Sequence, residues 1–420
     1  MGKVVKLDSP GRPRGARSRG RQRRSRSALV LGGGGFTGAV YEIGALRALD
    51  LLSVNKSVND FDVYVGTSAG ALVASLTANG VTPEQMMRVV NDQVPQPFRD
   101  INLQMLLRPN YREFVTKGIK LPLHLLALLR MAAGNIRSLS TLDLAVALAD
   151  ALPSGLYSGS GIEEYVRTVL SDPDRTDDFR LLDTELYLAA TDLDTCERIV
   201  LGGEGWDDVP ISSAVRASTA LPMVYSPHRV KDRELVDGGI VSTTNVDIAV
   251  DRGAKLIIVV NPLVPYVNDF SKQIPTLFGT RARRVSDMGF PKIGYQTFKL
   301  LAHQRLHEMA EHWQEQYPGV DIVLIEPEAD DELMFQTNIL NYTSRLDVAR
   351  HGFRSVTVKL ANDYEDLREI AARHGIEISA TRVRKVVRHF ADEKEPVGAW
   401  RRILEQTTGT LLRQSATAGD

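Results

Sequence analysis

Two stretches of this sequence carry side chains suited to nucleophilic chemistry. One is a serine caged by small residues, Gly66-Thr67-Ser68-Ala69-Gly70, and the other an aspartate in Leu235-Val236-Asp237-Gly238-Gly239. A hydroxyl exposed at a sharp strand-to-helix switch can attack a carbonyl, and the aspartate ends a probable strand at a glycine turn. A third stretch, Gly32-Gly33-Gly34-Gly35-Phe36-Thr37-Gly38, offers successive backbone N–H groups to a negative oxygen. Glycine suits that task because a Cβ would block the approach and restrict φ. No one of the three decides the matter. G-x-S-x-G also describes an ordinary turn before a core helix, and Asp-Gly is a common turn pair. Gly33-x-Gly35-x-x-Gly38 fits a dinucleotide fingerprint. A P-loop is excluded, since no Gly-Lys-Ser/Thr follows the glycine run.

The elements that must hold these residues can be read from the flanks. A strand-like run, Phe61 to Val65, leads into the serine turn, and a helical stretch from Ala71 to Asn79 leads out. No charge occurs from Ser68 to Gly80. A helix apolar on every side is normally buried, so Ser68 is expected at the partially positive N-terminal end of a central helix. Asn79-Gly80 is its stop signal. Ala28 to Leu31 is a short strand feeding the glycine run, with a helical stretch after it to about Leu52. Further strands are predicted at Leu186–Ala190, Leu256–Val260 and Ile322–Ile325. This alternation predicts an α/β fold with a mostly parallel central sheet flanked by helices. Reactive groups in such sheets sit at the carboxyl ends of strands, where the glycine run and Ser68 both fall.

The bulk numbers set limits. With 420 residues, 43% hydrophobic and 25% charged, the chain has the make-up of a soluble globular protein of one large or two ordinary domains. The single cysteine, Cys196, excludes an intramolecular disulfide and points to a reducing compartment. No apolar run reaches 18 residues, so no transmembrane helix is expected. The basic N-terminus lacks the apolar core of a signal peptide. The expected localisation is cytoplasmic, with peripheral membrane contact. That contact would come from residues 1–27, where ten Lys and Arg stand against Asp8 alone, a net of +9 that leaves −10 for residues 28–420. Such a tail is expected to stay disordered and suits anionic headgroups or nonspecific nucleic-acid contact; a functionally neutral extension is the alternative.

Residues 83–160 read as a helical insertion, whose middle, Leu121 to Leu129, is too short to span a bilayer. It suits an interfacial lid or, equally, a helix packed on the sheet. The helical pattern from Leu300 to Gln316 carries His303, His307 and His312. Histidines four apart share one helical face, as zinc ligands do, but Gln304 stands where a metalloprotease has glutamate. These histidines are expected in solvent, and no metal site is predicted. Residues 366–390 suggest two helices around His374-Gly375-Ile376, loosely like a helix-turn-helix but irregularly spaced, hence a small helical appendage.

Taken together and in order, the glycine-rich strand end, the serine elbow and the Asp-Gly-Gly turn resemble the patatin-like phospholipase family over residues 28–261. The resemblance includes Ala189-Ala190-Thr191-Asp192-Leu193-Asp194-Thr195 and Ala217-Ser218-Thr219-Ala220-Leu221-Pro222. Less specifically, Ile325-Glu326-Pro327 and Asn341-Tyr342 resemble a C-terminal extension of bacterial relatives. What the resemblance implies is a three-layer patatin-like architecture and a serine acyl hydrolase acting on phospholipids or other acyl-ester lipids. It further implies a Ser–Asp dyad without histidine: Ser68 as nucleophile, Asp237 as general base and acid. Gly33, Gly34 and Gly35 match the oxyanion-hole glycines, and Gly38, Gly66, Gly70, Gly238 and Gly239 complete the motifs. No metal or organic cofactor is implied. Thr37 departs from the pattern, since the family usually has Arg or Lys there. The implied organisation is a tail (1–27), a catalytic domain (28–261) and a C-terminal extension with a further strand (262–360). A helical appendage and polar tail (361–420) end the chain.

Free aspartate titrates near 3.9 and is a feeble base for a hydroxyl, so the dyad requires burial to raise Asp237. Three other readings compete. A degenerate member that binds membrane or nucleic acid through the Arg-rich tail draws support from Thr37, although no specific nucleic acid is predicted. A nicotinamide-dependent oxidoreductase leaves Ser68 and Asp237 unexplained. A Ser–His–Asp triad could draw on His303, His307, His351 or His374, none at a strand-end turn, or on His228, expected in a loop.

Overall fold

The computed structural model describes residues 25–91, 107–117, 152–267, 274–275, 281–282, 284–328, 331, 334 and 345–392. The first half of the chain alternates strand and helix: β1 (Ser27–Leu31), α1 (Gly35–Leu52), β2 (Val63–Thr67), α2 (Ala69–Ala78) and α3 (Pro83–Val90). Then come β3 (Gly155–Tyr157), α4 (Ser160–Leu170), β4 (Glu185–Asp192), β5 (Arg198–Leu201) and α5 (Ile211–Ser218). The short β6 (Met223–Tyr225), β7 (His228–Val230) and β8 (Arg233–Asp237) precede α6 (Val246–Asp251) and β9 (Leu256–Val260). After the two-residue β10 (Ile274–Pro275) and β11 (Arg281–Ala282) come α7 (Phe290–Gln316) and β12 (Asp321–Ile325). Three helices follow: α8 (Arg345–Asn362), α9 (Tyr364–Arg373) and α10 (Ala380–Asp392).

One eight-stranded sheet organises these elements, in the order β12-β9-β1-β2-β4-β8-β7, with β5 also paired to β4. The strands β12, β9, β1, β2 and β4 run parallel. β5 and β8 pair antiparallel to β4, and β7 antiparallel to β8. Central strands β1 (SALVL) and β9 (LIIVV) are apolar almost throughout because helices cover both faces. Their side chains divide by parity. Leu29, Leu31 and Tyr64 pack under α1 and α2, whereas Ala28, Val30, Val63 and Val65 pack against α6 and against Leu306, Ala310 and Trp313 of α7. The result is a three-layer α/β sandwich with a helical C-terminal region. On the first face, α1 and α8 cross closely at Gly44 and Gly352; a Cβ on Gly44 would lie 2.5 Å from the Ala349 carbonyl oxygen.

Several expectations shift. β2 starts at Val63, where its pairing with Ala28 begins, because Asp62 is taken up by hydrogen bonds from Ser27 N and Oγ. The first strand begins at Ser27, inside the stretch read as tail, and Arg26 is ion-paired with Glu185. His228 lies in β7 and not in a loop, since β7 and β8 form a hairpin too short and polar to show in the sequence. Residues 1–24, Leu121–Leu129, Asn341-Tyr342 and the chain beyond 392 lie outside the described residues. Among the described residues no helix is long and apolar enough to cross a membrane.

Candidate active site

Ser68 stands between β2 and α2 with φ 55° and ψ −120°, a conformation that residues with a Cβ rarely adopt. The turn is forced by close backbone contacts on both sides. A Cβ on Gly70 would lie 2.3 Å from the Leu31 carbonyl oxygen, and Gly70 N donates to Gly32 O at 3.0 Å. The serine turn is thereby stitched to the glycine run of β1. Gly66 abuts Ala71 in the same turn.

Asp237 reaches this turn through strand register. Thr67 is level with Ala189 on β4, and Ala190 is level with Asp237 on β8. Ser68 and Asp237 therefore sit at the same height on either side of β4, separated there by small alanines. Ser68 Oγ donates to Asp237 Oδ2 at 2.5 Å, and the Gly239 amide donates to Oδ1 at 2.8 Å. Both carboxylate oxygens are thus engaged, and Asp237 is 1% exposed. Burial pushes its carboxyl from an ordinary 3.8 up to about 6, with the hydrogen bonds from Ser68 and Gly239 opposing the rise. Gly238 fits under the Ala189 backbone, which anchors the Asp-Gly-Gly turn to β4.

The glycine run curls over the same point. Gly33, Gly34 and Gly35 line one cleft together with Ser68, Asp237 and Gly239. Among the described residues the amides of Gly33, Gly34 and Gly35 have no hydrogen-bond acceptor, as is usual for a loop entering a helix. Gly35 has φ 63°, and Gly38 packs on Pro262. Thr37 is buried, with its hydroxyl 3.4 Å from Gly34 O. The cleft is otherwise walled by apolar side chains, among them Leu72, Ile162, Leu221, Leu263 and Phe298.

Two positioning residues escaped the sequence reading. Ser218, at the C-terminal end of α5, accepts the Ser68 backbone N–H at 2.9 Å and donates to Ala189 O at 2.6 Å. It lies within the quoted Ala217–Pro222 stretch, a signal that could have identified it. Asn245 donates to Thr67 Oγ1 at 2.8 Å from the opposite face of the sheet, and no local pattern marks it.

None of the histidines whose side chains are described hydrogen-bonds to Ser68 or Asp237. His228 pairs with Ser213 Oγ at 2.8 Å, and His374 with Asp321 at 2.7 Å. His351 bonds Asp331, and His312 Nδ1 lies 2.9 Å from the Glu308 carbonyl oxygen. The expectation that the α7 histidines lie in solvent holds for exposed His312 alone. His303 and His307 are half-buried, and His307 Nε2 lies 2.9 Å from Glu326 Oε2, because β12 brings Glu326 beneath the helix.

The sequence profile of the patatin-like phospholipases matches residues 29–250, more than half of the chain, and the chain belongs to that family. A curated relative, “Probable lipid hydrolase 463L” of Invertebrate iridescent virus 6, is 22% identical over 228 residues, covering 53% of this chain. The chain spans 62% of that relative's length. Among solved structures, VipD from Legionella pneumophila aligns with a TM-score of 0.37 at 15% identity, over 81% of this chain and 67% of VipD. Full-length ExoU in complex with SpcU, from Pseudomonas aeruginosa, aligns with a TM-score of 0.28 at 17% identity, over 70% and 53% of the two chains.

Proposed function

We propose that this protein is a serine acyl hydrolase that cleaves acyl esters of phospholipids or related lipids through a Ser68–Asp237 dyad. The observation that carries the reading is the 2.5 Å hydrogen bond from Ser68 Oγ to a buried carboxylate, inside an apolar cleft lined by glycines with unused amides. Asp237 takes the hydroxyl proton as Ser68 attacks the ester carbonyl. The amides of Gly33, Gly34 and Gly35 face the developing oxyanion, where one such donor contributes roughly 3–4 kcal/mol in other hydrolases. Asp237 then passes the proton to the leaving alcohol, and an acyl-enzyme remains on Ser68. In the second half-reaction Asp237 activates water and the fatty acid leaves. A basic group raised to about 6 suits this work at neutral pH better than an ordinary carboxylate. The apolar walls accept the acyl chain.

Residues 28–261 would hold this machinery and 262–360 would pack on it, while the Arg-rich tail at 1–27 would dock to anionic membrane from the cytoplasmic side. The test is fluorophosphonate labelling with a lipid-panel hydrolysis assay on wild type, Ser68→Ala and Asp237→Asn. Labelling and hydrolysis are expected in wild type alone; hydrolysis that survives Ser68→Ala would sink the reading. A second reading, a non-catalytic member that binds membrane, is favoured by buried, uncharged Thr37 at the usual basic position. Wild type that binds anionic vesicles yet hydrolyses no ester would establish it.

A further inference from the structure

We propose that His303, His307 and Glu326 form a binding site for a divalent transition-metal cation of the zinc class, separate from the Ser68 cleft. His303 and His307 lie four residues apart on one face of α7, and Glu326 immediately follows β12. Their ligand atoms all lie within 4.8 Å of one another. Donors bound to a tetrahedral zinc at about 2.0–2.2 Å stand roughly 3.4 Å apart. Binding would draw the three side chains together from their present spacing.

The chemistry of the donors favours such an ion. Two imidazole nitrogens and one carboxylate oxygen suit zinc and its neighbours, whereas magnesium and calcium take oxygen ligands. Glu326 is also prepared for the role. Asn261 donates to its Oε1 at 2.7 Å, which leaves Oε2 turned toward the rings, with His307 Nε2 at 2.9 Å. Outer groups that hold a ligand in this way are a regular part of metal sites. The His307–Glu326 pair alone leaves His303 unaccounted for. Its ring stacks on His307 with centroids 4.1 Å apart, and among the described residues it has no hydrogen-bond partner. A cation between the rings and the carboxylate gives all three a task.

The position also defines what the metal would do. Gln304 follows His303 and is exposed, so the site has no glutamate base beside its first ligand and its role is structural. The N-terminal half of α7 carries Tyr295 and Phe298 into the wall of the Ser68 cleft, and Gln296 there holds the backbone of Tyr266. Fastening the middle of α7 to the edge strand of the sheet fixes that wall. His307 is 37% exposed through its side chain, which leaves a path for the ion and for a completing water. The inference stands whether or not the acyl-hydrolase reading does.

The experiment uses the full chain, stripped with EDTA, dialysed and titrated with zinc chloride by calorimetry, with melting temperature as a second readout. One zinc per chain is expected, with micromolar or tighter affinity and a raised melting temperature. Binding should vanish in His303→Ala and Glu326→Gln, weaken about 10- to 100-fold in Asn261→Leu, and persist in His351→Ala, His374→Ala and Ser68→Ala. His307→Cys, which keeps a ligand, should retain binding and give a thiolate charge-transfer band with cobalt(II). No zinc uptake by wild type at 100-fold excess, or full stoichiometry in both His303→Ala and Glu326→Gln, overturns the site.

Discussion

The Ser218 hydroxyl, at the end of α5, bridges the turn after β2 and strand β4, accepting the Ser68 amide at 2.9 Å and donating to the Ala189 carbonyl at 2.6 Å. It thus fixes the backbone of the proposed nucleophile to β4, the strand that separates Ser68 from Asp237. Ser218→Ala removes both bonds and leaves a buried N–H unpaired, at a cost of about 1–3 kcal/mol. A slight shift of Ser68 also spoils its line of attack. Hydrolysis by Ser218→Ala is expected to fall about 10- to 100-fold in kcat, with KM within about twofold of wild type. Steady-state kinetics on a nitrophenyl ester would check this; an unchanged kcat would show the bond to be dispensable.

The backbone at Ser68 carries strain that the close contacts of its turn impose. A residue with a Cβ at φ 55° and ψ −120° costs of order 1–3 kcal/mol. Glycine adopts the conformation freely, though it adds entropy to the unfolded chain. Ser68→Gly is therefore expected to be about 1 kcal/mol more stable than Ser68→Ala, with both inactive. Urea denaturation of the two variants side by side measures the difference. Equal stabilities would mean that the turn relaxes once the hydroxyl is gone.

Histidine should be dispensable to the ester chemistry. Burial, helped by the charge of Arg216, pushes the His228 imidazole down to about 4, against the opposing pull of Glu163. It is therefore neutral at working pH, and its Nε2 is occupied by Ser213. His228→Asn is expected to keep hydrolysis within about threefold of wild type. A triad histidine would instead cost about 10³-fold or more, a loss that initial rates at saturating ester would reveal at once.

How much of this the sequence could say depends on how local each feature is. The β1–glycine–α1 and β2–Ser68–α2 units are legible because a short apolar strand and a tight turn, joined in the second unit by an uncharged helix, each leave a signature within a few residues. The mostly parallel sheet follows from their alternation. Register is a different matter. Asp237 meets Ser68 because β8 pairs antiparallel to β4 with Ala190 opposite Asp237, and nothing within the Asp-Gly-Gly turn encodes that partner. The hairpin of β7 and β8 is short and polar, so His228 reads as loop. Likewise the surroundings of His303 and His307 depend on Glu326, 19 residues beyond His307 and just past the end of β12, so the helical pattern alone leaves them in solvent. Residues whose role lies in their own turn are visible in sequence; residues defined by a strand neighbour are not.

The buried carboxylate gives the most demanding prediction, because activity and stability should respond to pH in opposite directions. Asp237 works as a base only when ionised, so kcat/KM should rise about tenfold per pH unit below about 6 and flatten above it. Stability runs the other way. Folded Asp237 holds its proton more tightly than the unfolded chain does, with a value of about 6 against 3.8. Between those two values the folded state binds more protons, so stability falls as pH rises through that window and stays lowered above it. At about 1.4 kcal/mol per pH unit the full penalty is about 3 kcal/mol. Asn at this position keeps the shape without the charge: its oxygen can accept from Gly239 and its amide can donate to Ser68 Oγ. Asp237→Asn is therefore expected to lose hydrolysis by several orders of magnitude and yet exceed wild type in stability at pH 8, by up to about 3 kcal/mol. The advantage should shrink as pH falls through 6 and vanish below 3.8. Melting curves of both proteins from pH 3.5 to 8, set beside a pH–rate profile of wild type, make the comparison. A variant less stable than wild type at pH 8 would mean that the ionised carboxylate is held by more than the two hydrogen bonds from Ser68 and Gly239.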